Sequence, residues 1–383
     1  MILPGATLGI LGGGQLGRML AIPARQLGYR VAVLAPEGDA PAFGVADHVI
    51  RAAFEDQEAV GRLAAISEVV TYEFENVAAE TVRRIEARVP VRPGAELLAA
   101  TQDRLLERAL CQRAGAPVAP FREVDNREGL SLALTELGGP LRLKTARGGY
   151  DGGGQWRIRD EADAEALFRN GPPVEGRFLA EKEVNFETEV SVILCRDVYG
   201  DTRIFPLFEN HHEGGILALT RCPARISAAR RSEIEDLAVA FADTVGLVGT
   251  LTVELFVTAR GVLVNELAPR VHNSGHLTVE ACTVSQFEQH LRAVCGLPLR
   301  PAELRKPAAM VNLLGTEELR FIRLEGVESA LRDPGASLHL YGKRHCRPRR
   351  KMGHLTVVGD DPDEVVSRAR AHAETMRFVK GGS

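Results

Sequence analysis

One stretch of this chain constrains what can form around it: Lys144-Thr145-Ala146-Arg147-Gly148-Gly149-Tyr150-Asp151-Gly152-Gly153-Gly154-Gln155. It runs between two strand-like pieces, 141–144 and 155–158. A tight hairpin needs one or two glycines to turn, whereas five of the seven positions from 148 to 154 are glycine here. Ordering glycine costs backbone entropy. What offsets that cost is close approach of backbone N–H groups to an anion such as a polyphosphate. Lys144 at the strand end adds a point charge for phosphate oxygens. The order, lysine before glycines, is not that of a P-loop. Taken alone, the stretch reads equally well as a plain surface hairpin.

A second constraint lies in the apolar runs 250–257 and 262–267. The connection Ala259-Arg260-Gly261 reads as a three-residue hairpin loop with Gly261 at the left-handed position. That register pairs Thr258 with Val262 and, continued, sets Glu254 opposite Glu266. Facing side chains on paired strands have Cβ atoms roughly 4.5–5.5 Å apart, and like charges so placed repel. A divalent cation bridged to substrate phosphates explains the pair, because Mg²⁺ takes few carboxylates plus phosphate oxygens. One protonated carboxyl, or a slip of one residue, are the alternatives. Arg270 and Asn265 flank the pair. His272-Asn273-Ser274-Gly275-His276 follows, suited to a small oxyanion or to capping a helix over 279–294.

The chain opens with a buried strand over 7–11, then Gly12-Gly13-Gly14-Gln15-Leu16-Gly17, a helix to about residue 27 and a strand over 30–35. This is a βαβ start whose G-x-G-x-x-G turn points helix N–H groups at an anion. Glu37 stands where a dinucleotide's ribose would want an acid, so an NAD-linked oxidoreductase is a competing reading. Residues 69–77 read as strand then loop, with Glu73 and Glu75 on one face. They suit a substrate amine or hydroxyls, or simply a solvated strand end. A helix over 101–113 opens the next domain. Strands follow over 176–183, 189–194 and 204–208, with Asn210-His211-His212 after them. His211 reads as a locally satisfied histidine. Residues 296–307 read as a linker, 310–314, 337–341 and 354–358 as strands, and 362–378 as a closing helix. The basic loop from Lys343 to Lys351 suits a monophosphate.

With 383 residues the chain has room for two or three domains. A net charge of −4 argues against a general nucleic-acid binder. The six cysteines form no C-x-x-C pair, which suits a reducing cytoplasm and offers no zinc or disulfide framework. The apolar N-terminus is broken by Pro4, Gly5 and Gly9 and has no basic segment, so it does not read as a signal peptide. No run approaches the ~18 apolar residues of a membrane span.

Four motifs then occur in order: Gly12 to Met19, Gly149 to Gln155, Asn265 to His276, and Arg350-Lys351-Met352-Gly353-His354-Leu355. In this the chain resembles the 5-(carboxyamino)imidazole ribonucleotide synthase family (PurK) of the ATP-grasp superfamily, over essentially its whole length. The resemblance implies an α/β pre-ATP-grasp domain over 1–100, a two-lobed ATP-grasp domain over 101–300 and a small β-rich domain over 301–383. It implies a ligase that carboxylates 5-aminoimidazole ribonucleotide with bicarbonate and ATP through carboxyphosphate, with Mg²⁺, as a homodimer. Carried over by motif, Arg104 and Lys144 contact ATP phosphates, and Gly149, Tyr150, Asp151, Gly152, Gly153, Gly154 and Gln155 form the loop over the nucleotide. Glu181, Lys182, Glu183 and Val184 form the hinge at adenine. Glu189 reaches the ribose, and His212 and Asn265 complete the nucleotide site. Glu254 and Glu266 are the metal ligands. Arg270, His272 and Asn273, with Tyr150 and Asp151, serve the chemistry. Gln15, Leu16, Glu73, Lys343 and Arg350 hold the substrate, with Glu73 preferred over Glu75.

Two departures stand out. Gly153 occupies a place where relatives commonly carry Lys or Arg, which shifts loop closure towards Lys144 and Arg147. Ala268 occupies the Asn place of other ATP-grasp metal pairs, an alanine that separates subfamilies. A formate-using sister ligase and a non-catalytic nucleotide-binding regulator are further alternatives.

Overall fold

A computed structural model describes residues 1–149, 153–169 and 174–381. Strand Thr7–Leu11 is the centre of a parallel sheet, flanked by Arg30–Ala35 and Val69–Tyr72, with His48–Arg51 on the outer edge. All residues of Thr7–Leu11 and Val69–Tyr72 are buried, as expected of parallel strands covered on both faces. Gly12, with φ +104°, turns the chain into helix Gln15–Gln26.

The helix expected over 101–113 is present as Arg104–Arg113, and a separate helix, Ala95–Thr101, precedes it. The break falls at Asp103, whose carboxylate accepts from Leu105 N at 3.0 Å and caps the second helix. Four antiparallel strands then form a small sheet, in the order Phe121–Val124, Phe178–Lys182, Leu141–Thr145, Gln155–Ile158. The glycine stretch is the connection between its last two strands.

A large antiparallel sheet makes the other lobe. Its spatial order is Gly261–Ala268, Gly249–Thr258, Thr188–Arg196, Phe208–Glu213, Ile216–Cys222, Ala308–Leu314, Lys351–Val358, Ala336–Leu340. The strand expected over 204–208 is instead split, into Thr202–Ile204 and Phe208–Glu213, which carries His211 and His212 inside a strand. The last three members come from the tail. Leu219 to Cys222 pair with Val311 to Ala308, so the tail extends the ATP-grasp sheet through backbone hydrogen bonds. Helix Ala228–Thr244 packs against this sheet through Ile234, Ala238 and Phe241. The helix expected over 279–294 is Thr278–Ala281 and Gln286–Cys295, restarted by Ser285, whose hydroxyl accepts from Glu288 N at 3.1 Å. All six cysteines are buried free thiols. No described helix is long and apolar enough to cross a membrane.

One buried histidine rivets the first sheet to the large one. The His290 ring bonds Thr71 Oγ1 at 2.8 Å and Thr250 Oγ1 at 2.9 Å. Burial pushes its pKa down to about 3. In the unfolded chain the ring regains an ordinary value of about 6.5. Above that pH both states are neutral and the residue adds no pH dependence. As pH falls from about 6.5 towards 3, only the unfolded state binds the proton, so stability drops by up to about 1.4 kcal/mol per pH unit from this residue. Urea unfolding at pH ~7 and pH ~5.5 should therefore show a smaller acid loss in His290→Gln than in the wild type, by about 1–1.4 kcal/mol. Equal losses in the two proteins would contradict this.

Candidate active site

The two lobes and the first domain enclose a cleft of about 790 Å³. The edge hairpin supplies its floor. Its loop is two residues, not three: Thr258 pairs with Gly261, Val257 with Val262 and Leu255 with Val264. A β-bulge at Asn265 then adds one residue to the outer strand, and beyond it Glu254 pairs with Glu266. The expected register is thus wrong at the turn and right at the carboxylates. Bulges bend a strand and re-aim its side chains. This one is held from outside: Val264 N donates to Pro117 O at 2.8 Å. Leu267 N donates to Glu107 Oε1 at 2.6 Å, and Asn265 O accepts from Arg108 Nη2 at 2.7 Å.

The paired carboxyls are electrostatically unequal. Burial favours the neutral form of Glu254, but His272 Nε2, 2.9 Å from Oε1, outweighs it and holds the carboxyl down to about 2. Burial, followed by the charge of Glu254, pushes the Glu266 carboxyl up. His272 is itself oriented: its Nδ1 accepts from Ser274 N at 3.3 Å and lies 2.9 Å from Ser274 Oγ. Ser274 Oγ bonds Ser191 Oγ at 2.7 Å, Ser191 accepts from Asn210 Nδ2 at 3.0 Å, and Asn210 accepts from Thr220 at 3.0 Å. His272, rather than Asn273 or Ser274, caps the short helical turn Asn273–Gly275. The Asn273 amide lines the cleft with no protein partner on either polar atom among the described residues.

Lys144 Nζ meets Glu181 Oε2 at 2.7 Å and Asn265 Oδ1 at 3.4 Å. The Glu181 carboxyl stays at about 2 despite burial, because Lys144 and Arg108 flank it. Arg104 donates to Thr145 O at 2.8 Å and Gly149 O at 3.1 Å, clamping one stem of the glycine stretch. Thr145 N donates to Gly154 O at 2.9 Å across it. Tyr150, Asp151 and Gly152 lie outside the described residues, while Gln155 lines the cleft. Lys182, Glu183 and Val184 line it too. The backbone N–H groups of Lys182 and Glu183 donate to Pro120 O and Pro140 O. Phe186 and Phe256 stack beside it at 4.6 Å. His212 pairs with Glu189, which lifts its pKa against burial. Exposed His211 does not line the cleft.

Glu73 and Glu75 divide their labour. Glu73 is buried, accepting from Gly14 N and, at 2.7 Å, from Gly17 N. The anion expected at the G-x-G-x-x-G helix start is therefore a side chain of this protein. That removes the dinucleotide reading of the turn, and Glu37 is exposed. Glu75 instead bonds Arg270 Nε, and burial, which would raise its pKa, is outweighed by that guanidinium. Gln15 and Leu16 line the cleft, whereas Lys343 and Arg350 do not. Lys343 reaches it through Gln15 Oε1 at 2.8 Å, and burial, together with Arg350, pushes its ammonium down to about 7. Arg350 donates to His345 O at 2.6 Å.

Sequence reading missed Glu107 and Arg108. The spacing of Asp103, Arg104, Glu107 and Arg108 places charges on one face of a helix, the signal that would have found them. Ser191 and Asn210, polar residues inside apolar strands, were a fainter one.

An α/β domain followed by two antiparallel lobes closing on one charged cleft defines an ATP-grasp protein. Residues 109–287 match the family model described as ATP-grasp domain, residues 5–102 the ribonucleotide synthetase preATP-grasp domain, and residues 308–368 the phosphoribosylaminoimidazole carboxylase C-terminal domain. N5-carboxyaminoimidazole ribonucleotide synthase of Bacillus subtilis (strain 168) is 46% identical over 368 residues, covering 95% of this chain and 94% of the relative. A solved purK, N5-carboxyaminoimidazole ribonucleotide synthetase in an ADP complex, superposes with a TM-score of 0.90 at 44% identity, covering 97% of each chain. The Aspergillus clavatus N5-carboxyaminoimidazole synthase, in complex with ADP and 5-aminoimidazole ribonucleotide, has a TM-score of 0.88 at 30% identity, covering 97% of this chain and 98% of its own. The chain belongs to the N5-carboxyaminoimidazole ribonucleotide synthase family.

A Cβ on Gly14 would stand 2.5 Å from Glu73 Oε1. Gly14→Ala should lower stability by about 1–3 kcal/mol, the usual range for overpacking a closed site. Denaturant unfolding with an unchanged midpoint would show that the contact is not held in solution.

Proposed function

We infer that this chain carboxylates 5-aminoimidazole ribonucleotide, using ATP and bicarbonate and releasing ADP and phosphate, through carboxyphosphate. The observation that carries this reading is the facing, half-buried pair Glu254 and Glu266 at the floor of a cleft whose walls carry Lys144, Arg270, His272 and Asn273. Two like charges opposite one another inside a protein are unfavourable without a cation.

The donor set fits Mg²⁺. Among the described residues no three His, Cys, Asp or Glu form a protein cage for a metal. A pair of carboxylates completed by substrate phosphates is the usual Mg²⁺ arrangement. When bound, Mg²⁺ would neutralise charge on the phosphates. The remaining work falls to side chains. Lys144, held by Glu181, meets nucleotide phosphates as a point charge. Arg270, oriented by Glu75, offers its fork to bicarbonate and its phosphorylated form. Asn273, without a protein partner among the described residues, supplies amide hydrogen bonds to the same oxyanion. His272 donates from Nε2 towards Glu254, on the cleft side. Gln15 on the cleft wall, backed by Lys343, receives the ribonucleotide's phosphate, and Arg350, which does not line the cleft, is assigned to it on the family resemblance alone. Tyr150 and Asp151 keep the role at the aminoimidazole that the resemblance gives them, and water has to be kept from carboxyphosphate.

The test is ADP release by the purified protein with and without 5-aminoimidazole ribonucleotide and bicarbonate. Release that needs both supports the reading; release with formate instead points to the sister ligase, and no release to a regulator. In that assay Glu266→Gln should lose about 100-fold or more, in the range of a removed electrostatic stabiliser, with its circular dichroism unchanged. Full turnover by Glu266→Gln would remove Glu266 from the metal site.

A further inference from the structure

We propose that Arg108, acting with Glu107, is a positioning residue for cation and nucleotide binding: it locks the bulge that presents Asn265 and Glu266 and, through Glu181, the ammonium of Lys144. The proposal rests on the functional reading above and adds to it a joint between the lobes.

Arg108 is 1% exposed. Its donors are spent on three acceptors, two of them on other segments: Nε on Glu181 at 2.7 Å, Nη2 on the carbonyl of Asn265 at 2.7 Å, and Nη1 on the neighbouring Glu107 at 3.0 Å. Glu107 returns the favour to the same strand, its other oxygen accepting from Leu267 N at 2.6 Å. Residues 265 and 267, on either side of Glu266, are therefore tied to one turn of helix Arg104–Arg113. On the other lobe, Glu181 holds Arg108 with one oxygen and Lys144 with the other. One planar guanidinium thus connects the metal-bearing hairpin, the hinge strand and the phosphate-facing lysine. A lysine cannot replace it: an ammonium is a point charge without the rigid fork that meets three divergent acceptors. It keeps the buried charges balanced, however, so Arg108→Lys separates geometry from charge. Outer partners that fix ligands typically account for 10–100-fold in metal affinity.

The experiment measures Mn²⁺ binding to the protein–ADP complex by electron paramagnetic resonance, alongside steady-state kinetics, in the wild type and in Arg108→Lys. The proposal expects Mn²⁺ affinity to fall about tenfold. The KM for ATP should rise in parallel, while the KM for 5-aminoimidazole ribonucleotide stays within about twofold of wild type. A purely structural role would instead lower the melting temperature and leave the folded fraction with wild-type constants, and that result overturns the proposal. Should Arg108→Lys fail to fold, Glu107→Gln carries the test. It keeps an acceptor for Leu267 N and drops the ion pair, with an expected loss of about threefold in Mn²⁺ affinity; unchanged affinity again overturns the proposal. A wild-type protein that binds no Mn²⁺ with ADP would overturn the functional reading as well, whereas wild-type binding beside an unaltered variant would overturn the proposal alone.

Discussion

The site depends on two carboxylates that would not face each other without help. Glu254 and Glu266 come together because one extra residue, Asn265, is accommodated in an edge strand. An edge strand has free backbone groups to spend. Here Pro117, Glu107 and Arg108 take those of Val264, Leu267 and Asn265, which makes the bulge a fixed feature. The result is concentrated negative charge, and the rest of the cleft answers it with Lys144, Arg270 and His272. A cation under nucleotide phosphates is the occupant we propose for it.

The protein uses the same chemistry for structure that it uses for ligands. The start of helix Gln15–Gln26 is an anion site by geometry, and Glu73 fills it. That pins the end of strand Val69–Tyr72 against the glycine turn and leaves Glu75, two residues on, to orient Arg270. Behind His272, a buried chain of hydroxyls and an amide from three strands sets the ring. Buried polar networks of this kind rigidify a site when every member is satisfied. The tail contributes as well, because its strands continue the large sheet and bring Lys343 to Gln15.

Much of this was legible in the sequence wherever local rules act. The parallel start and the glycine connection follow from periodicity and turn residues, whereas the pairing of Glu254 with Glu266 was expected from a three-residue loop and holds only because a bulge offsets the shorter turn. Where a second segment decides, reading failed. The hairpin loop was misjudged by one residue, and the bulge restored the register, for reasons that lie in helix Arg104–Arg113, more than 150 positions away in the chain. The dinucleotide alternative survived on the turn motif and Glu37, because nothing local says that Glu73 occupies the helix start. Glu107 and Arg108 were not singled out, since their burial is a tertiary fact. The helix expected over 279–294 was split at Ser285, and the one expected over 101–113 starts only after Asp103, because each is a good capping residue whose weight against a continuous apolar pattern depends on tertiary packing.

The most direct test is a crystal grown with Mn²⁺ and ADP and measured for anomalous scattering. The account predicts a peak bridging Glu254 and Glu266, with manganese–oxygen distances of roughly 2.0–2.3 Å, close to those of other small divalent cations, and nucleotide phosphate oxygens completing the shell. Nucleotide density in the cleft, with the two carboxyls sharing a proton and the manganese elsewhere, would contradict it.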